Sequence, residues 1–139
     1  MTAYTLITAN EAYQMLQDQN DAVLVDVRSG MEYLMIGHPV GAVNIPWIDE
    51  PDWVMSPEFV PQVRKLLLGR LSHYRQQGIP VILICRSDNR SRDAAQTLVD
   101  AGVPAIYVVE HGFEGPLNAE RRRSTVAGWR KEGLPWEQC

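Results

Sequence analysis

Cysteine is scarce in this chain: Cys85 and Cys139 are the only two in 139 residues. Two thiols are too few for a disulfide scaffold or a cysteine zinc site. Histidine is as thin, and His38, His73 and His111 stand at no ligand-like spacing, so no metal site and no other cofactor is expected. Lysine is nearly missing, since of thirteen Lys and Arg only Lys65 and Lys131 are lysines. Arginine suits planar, bidentate recognition of oxyanions, although plain surface charge explains the bias as well. No apolar run reaches the roughly 20 residues of a membrane span. The stretch from Met1 to Leu16 has neither a basic start nor an apolar h-region, so no signal peptide is expected. The expectation is a soluble cytoplasmic protein with reduced thiols. A net charge of −4 argues against nucleic acid or an anionic membrane as partner.

What is present is ordinary globular material, 45% hydrophobic and 22% charged, with no repeat or low-complexity segment. The length suits one domain spanning 1–139. Three β-branched runs, Ala22–Val27, Val81–Ile84 and Ala105–Val109, are apolar on both faces. Strands buried on both sides read this way, which favours a parallel sheet. Helical patterns separate them: one from Asn10 (read as an N-cap), one from Glu58 to Leu68, and one from Arg92 to Ala101 that stops at Gly102. Alternating strands and helices predict an α/β fold with right-handed crossovers. Trp47 to Ser56 and Asn118 to Ser124 read as surface loops.

Cys85 ends the most apolar strand and opens the run Cys85-Arg86-Ser87-Asp88-Asn89-Arg90-Ser91, after which a helix is expected. Ligand sites in open α/β sheets form at the carboxyl ends of strands. A thiol at such a turn meets backbone N–H groups and the positive end of the next helix, which favours thiolate. A buried structural cysteine is the plainer reading of a lone Cys after a strand. The dense polar loop with two arginines favours the nucleophile instead.

At this point the sequence resembles the single-domain rhodaneses. The Cys85–Ser91 loop is similar to their active-site loop. The segment Leu24 to Tyr33, then Gly37-His38 and Gly41 to Pro46, resembles a second landmark. Gly112 to Gly115, Gly128-Trp129 and Gly133 to Pro135 resemble a third, in the family's order. The resemblance implies a three-layer fold, with a core at about 18–137 and a five-stranded parallel sheet flanked by helices. It implies a sulfurtransferase that moves a sulfane sulfur from a donor such as thiosulfate to a thiol or cyanide through a Cys85 persulfide. The N–H groups from Arg86 to Ser91 would cradle that persulfide, and Arg86 and Arg90 would bind the donor's oxyanion end. The implied partners are a small-molecule sulfur donor, a thiol or cyanide acceptor, and a protein acceptor as an option.

Asp88 departs from the family, which often has Gly there. Aspartate tolerates the left-handed backbone that Gly permits, but its charge opposes ionisation of the thiol and repels anionic donors. Asp26 and Arg28 read as structural support, with Arg28 expected to pair with Glu32 one helical turn on. Gly37, Gly41 and Gly115 read as turn residues, His38 as a packing or hydrogen-bonding residue, and Trp47, Trp53, Trp129 and Trp136 as packing. The border of the pocket mouth stays open for Trp47 and Trp53. Cys139 reads as a tail thiol, with sulfur exchange with Cys85 as the sharper alternative. Cysteine phosphatases, and arsenate reductases more distantly, form the rival class. Their signature puts one more residue between Cys and Arg than the four found here, and Ser91 stands where that arginine would be. A non-catalytic module that binds a partner protein is the other rival.

Overall fold

A computed structural model describes residues 4–49, 54–69, 78–87 and 89–138. Asp88, Cys139, Trp53 and His73, all singled out above, lie outside the described residues.

The chain runs β1 (Tyr4–Ile7), α1 (Ala9–Asp18), β2 (Val23–Asp26), a π-helical turn (Glu32–Ile36), β3 (His38–Pro39), β4 (Val43–Asn44), β5 (Ile48–Asp49), β6 (Val54–Met55), α2 (Phe59–Leu68), β7 (Val81–Ile84), α3 (Asn89–Asp100), β8 (Ile106–Val109) and β9 (Trp136–Glu137). Five strands form one sheet in the order β1-β8-β7-β2-β4, and every pairing in it is parallel. This is the expected α/β architecture. Two short antiparallel pairs, β3 with β9 and β5 with β6, lie outside the sheet.

Strand alternation divides the core in two. Val23, Val25, Val81, Leu83, Ile106 and Val108 point to one face and meet Phe59 and Val63 of α2 and Ala94, Ala95 and Leu98 of α3. Leu24, Ile82, Ile84 and Val109 point to the other and meet Ala9 and Ala12 of α1, with Phe113 and Trp129. The central strands β2 and β7 are buried at every position, which is why they read as unbroken apolar runs.

Several boundaries move. α1 starts one residue before Asn10, because Thr8 is the N-cap and forms a capping box with Glu11. β1, which no apolar run announced, is the edge strand beside β8, so the core begins well before residue 18. The Trp47–Ser56 loop is instead entered by a buried Trp47, edge-on to Phe59 with centroids 5.2 Å apart, and carries the β5–β6 pair. Trp47 is therefore a core residue and does not border a pocket mouth. Trp129 is also buried, and its indole N–H donates to the Pro135 carbonyl at 2.8 Å. His38 does pack and hydrogen-bond: it stacks on Tyr33 at 3.7 Å and its Nδ1 lies 2.8 Å from the Tyr33 carbonyl. Gly37, Gly41 and Gly115 all have positive φ, as expected of their turns. No helix among the described residues is long and apolar enough to cross a membrane.

Candidate active site

β7 is the middle strand of the sheet, hydrogen-bonded by β2 on one side and β8 on the other, and Cys85 follows its last residue. Continuing the alternation of Val81 and Leu83, Cys85 faces α3, and the residue is only 1% exposed. The expected helix starts earlier than its apolar pattern. Asn89, Arg90 and Ser91 form the first turn of α3, so the loop between strand and helix is short. The Ser91 backbone N–H, one of the orphan donors of a helix N-terminus, donates to Cys85 Sγ at 3.4 Å. A donor there adds to the partial positive charge of the helix end, and together they stabilise negative charge on sulfur. Arg86 and Asn89 are exposed, and Ser87 is half-buried.

The loop is held from behind by the segment after β8. Phe113 N–H donates to the Cys85 carbonyl at 2.8 Å, and the N–H groups of Glu114 and Gly115 donate to the Arg86 carbonyl at 2.9 and 3.1 Å. Gly112 makes this approach possible. A Cβ on it would stand 2.3 Å from the Cys85 carbonyl oxygen, and its φ of +62° is left-handed.

A second support comes from β2. Asp26 and Arg28 are fully buried and paired, with Nη2 2.6 Å from Oδ2 and Nε 2.9 Å from Oδ1. Arg28 Nη2 also donates to the Gly37 carbonyl at 2.5 Å, and the guanidinium lies 4.6 Å from the Phe113 ring centroid. Asn44 on β4 closes the corner by donating to the Asp26 and Arg28 carbonyls, both at 3.0 Å. The expected Arg28–Glu32 pair is thus wrong. Arg28 is drawn inward to the carboxylate two residues before it, where no water competes.

Glu32 is taken by Arg90 instead, in a bidentate pair with Nη1–Oε1 2.6 Å and Nη2–Oε2 2.9 Å. Ser29 joins it, its backbone N–H and hydroxyl both donating to Glu32 Oε1. This commits the Arg90 fork to a protein carboxylate rather than leaving it open for an oxyanion, contrary to the role expected of it. Its charge still acts at the site. The Glu32 hydrogen bonds raise the Arg90 pKa, burial opposes them, and the Glu32, Cys85 and Asp26 charges add to the rise.

Burial pushes the Glu32 carboxyl up, but Arg90 and Ser29 outweigh it and bring it from 4.5 down to about 2. The side chain is only 19% exposed, so screening is modest. A carboxyl held that low contributes on the order of 3 kcal/mol of stability at neutral pH. Because the folded value is the depressed one, this stability is full above pH 4.5 and lost as pH falls through about 2. Urea midpoints across that range are expected to fall with pH in the native protein, and to fall less in Glu32→Gln.

The structure brings Cys85, Arg86, Ser87, Asn89, Arg90 and Ser91 together, with Asp26 and Arg28 behind them. Sequence reading missed Glu32 as the Arg90 partner, and missed Gly112 and Phe113 as the loop's rear support. Gly112 and Phe113 were visible only as parts of a motif. A cavity of about 250 Å³ lined by Tyr13, Leu16, Leu24, Trp129 and Pro135 lies on the sheet face opposite Cys85.

The family model for the rhodanese-like domain matches residues 8–119. The crystal structure of Rv0390 from M. tuberculosis superposes with a TM-score of 0.82 at 36% identity, covering 100% of both chains. Uncharacterized protein RP600 of Rickettsia prowazekii is 30% identical over 133 residues, covering 94% of this chain and 95% of its own. The polysulfide-sulfur transferase homodimer of Wolinella succinogenes shares the fold, with a TM-score of 0.62 at 22% identity over 99% of this chain and 80% of its own.

Proposed function

This chain belongs to the rhodanese-like domain family, and from that membership we propose that it is a sulfurtransferase that carries a sulfane sulfur as a Cys85 persulfide. The observation that carries the reading is the Ser91 N–H on Cys85 Sγ at the start of α3. A helix end aimed at sulfur is a preorganised anion site, and anionic sulfur is what nucleophilic attack requires.

The chemistry follows in two displacements. The Cys85 thiolate attacks the outer sulfur of a donor such as thiosulfate; a new S–S bond forms while the donor's own S–S bond breaks, and sulfite leaves with the electron pair. The persulfide anion remains in the loop. A thiol or cyanide acceptor then attacks the outer sulfur, and Cys85 leaves as thiolate. Arg86, exposed at the loop's start, supplies positive charge to an arriving anionic donor. With Arg90 tied to Glu32, the second cation acts through its field rather than by a direct grip. The Cys85–Arg90 spacing supports sulfur chemistry over phosphoryl transfer, because the shorter loop cradles a smaller group.

The test is to incubate the purified protein with thiosulfate, weigh it intact by mass spectrometry, then add cyanide. The expected result is a gain of one sulfur atom that cyanide discharges as thiocyanate. Failure to load from thiosulfate, a persulfide and mercaptopyruvate, together with hydrolysis of an aryl phosphate, would replace this reading with the phosphatase one.

A further inference from the structure

Ser91 carries a feature that the hydrogen bonds of the loop leave unused. The residue is fully buried, yet its hydroxyl oxygen has no hydrogen-bond partner among the described residues. Serines inside helices commonly bond their hydroxyl to the carbonyl four residues back, which here would be Ser87, but Ser91 does not. A buried hydroxyl without a partner is costly, and natural proteins rarely keep one without a use. Its own backbone nitrogen meets Cys85 Sγ at 3.4 Å, and the hydroxyl, three bonds from that nitrogen, turns about the single χ1 bond in the neighbourhood of the sulfur. Among the described residues two other buried side-chain polar atoms also lack partners, Arg28 Nη1 and Glu114 Oε2, but Arg28 faces the Phe113 ring and Glu114 lies near Arg130. Among these three residues, only Ser91 has a hydrogen bond to Cys85 Sγ.

We propose that the Ser91 hydroxyl is a donor reserved for the sulfur-loaded form, satisfied only when a persulfide anion stands on Cys85. The inference rests on the sulfurtransferase reading and adds a specific residue to it. The outer sulfur of a persulfide lies about 2 Å beyond Sγ. There it offers an anionic acceptor at a position, one S–S bond further out, that Sγ itself does not occupy. The hydroxyl's unpaired state in the empty protein then favours loading, because loading satisfies it. Ser91 is thereby a group that touches the reacting sulfur, in addition to the role of its backbone N–H.

The experiment compares the native protein with Ser91→Ala, a change that removes one oxygen and suits a helix. Each protein is equilibrated with a series of thiosulfate-to-sulfite ratios, and the loaded fraction is read by intact mass. The expected result is that Ser91→Ala needs a ratio about ten- to a hundredfold higher for half-loading, as a hydrogen bond to a charged acceptor is worth that factor. The empty variant is expected to melt at the native temperature or above it, since it loses an unsatisfied hydroxyl. A merely structural serine would give the opposite pattern, with a lowered melting temperature and an unmoved loading ratio. Equal half-loading ratios in the two proteins would overturn the inference while leaving the sulfurtransferase reading intact. A native protein that never loads would overturn both.

Discussion

Cys85→Ser is expected to keep the fold and lose sulfur transfer, with thiocyanate formation falling about a thousandfold or more. The substitution changes one buried atom, and a serine oxygen can still accept from the Ser91 N–H, so the loop has no reason to move. What disappears is the chemistry. A hydroxyl stays protonated at neutral pH, and it forms no stable bond to a sulfane sulfur that an acceptor can discharge. The measurements are turnover with thiosulfate and cyanide, intact mass after thiosulfate, and a urea midpoint within experimental error of the native one. Unchanged turnover in this variant would place the transferable sulfur elsewhere. Cys139, the only other thiol, would then be the residue to replace next.

The second large effect is one of stability. Asp26→Asn is expected to cost about 3–5 kcal/mol, because it leaves the fully buried Arg28 without a counter-charge. The loss is read as a fall in the urea midpoint at constant slope. Adding Arg28→Met to Asp26→Asn is expected to recover part of that loss, since the pair is then replaced by packing rather than broken. The damage should also reach activity. Arg28 lies over Phe113, and the Phe113 N–H holds the Cys85 carbonyl, so a disturbed ion pair loosens the backbone at Cys85. Little change in stability on Asp26→Asn alone would mean that water reaches Arg28, and that the burial described for it is wrong.

The sheet was readable because burial on both faces leaves a direct trace in composition. Val81 to Ile84 has no polar position to hide, and neither has the core of Ala22 to Val27. The place of Cys85, between β7 and the start of α3, was readable because a strand end followed by small and basic residues is a local pattern. β1 left no such trace. Its two middle residues, Thr5 and Leu6, are exposed at the sheet edge, so it lacks an unbroken apolar run. The start of α3 was misplaced because its first turn is made of polar residues, even where one of them, Ser91, is buried. The pairing of Arg90 with Glu32 spans 58 residues, and no spacing rule reaches that far. The rule that was applied, one helical turn from Arg28 to Glu32, holds for exposed helices in water. It failed where Asp26, already buried beside Arg28, offered a closer and drier partner. Trp47 packs as expected, but the surface loop read as starting at it starts later, since a proline and acidic residues around it suggested solvent while its own ring entered the core.

The concealment of Cys85 also bears on which molecules can react there at all. At 1% exposure, Cys85 favours a reactant with a narrow leading end over a bulky one. A terminal sulfur, bonded on one side only, meets that demand whether it sits on thiosulfate or on a persulfide. An ordinary disulfide meets it less well, because the sulfur attacked carries a carbon beside the line of attack as well as the leaving sulfur. Burial at the strand end thereby sorts these sulfur compounds by shape as well as by reactivity. The same burial is expected to slow capture of the thiol as a mixed disulfide with small disulfides of its surroundings.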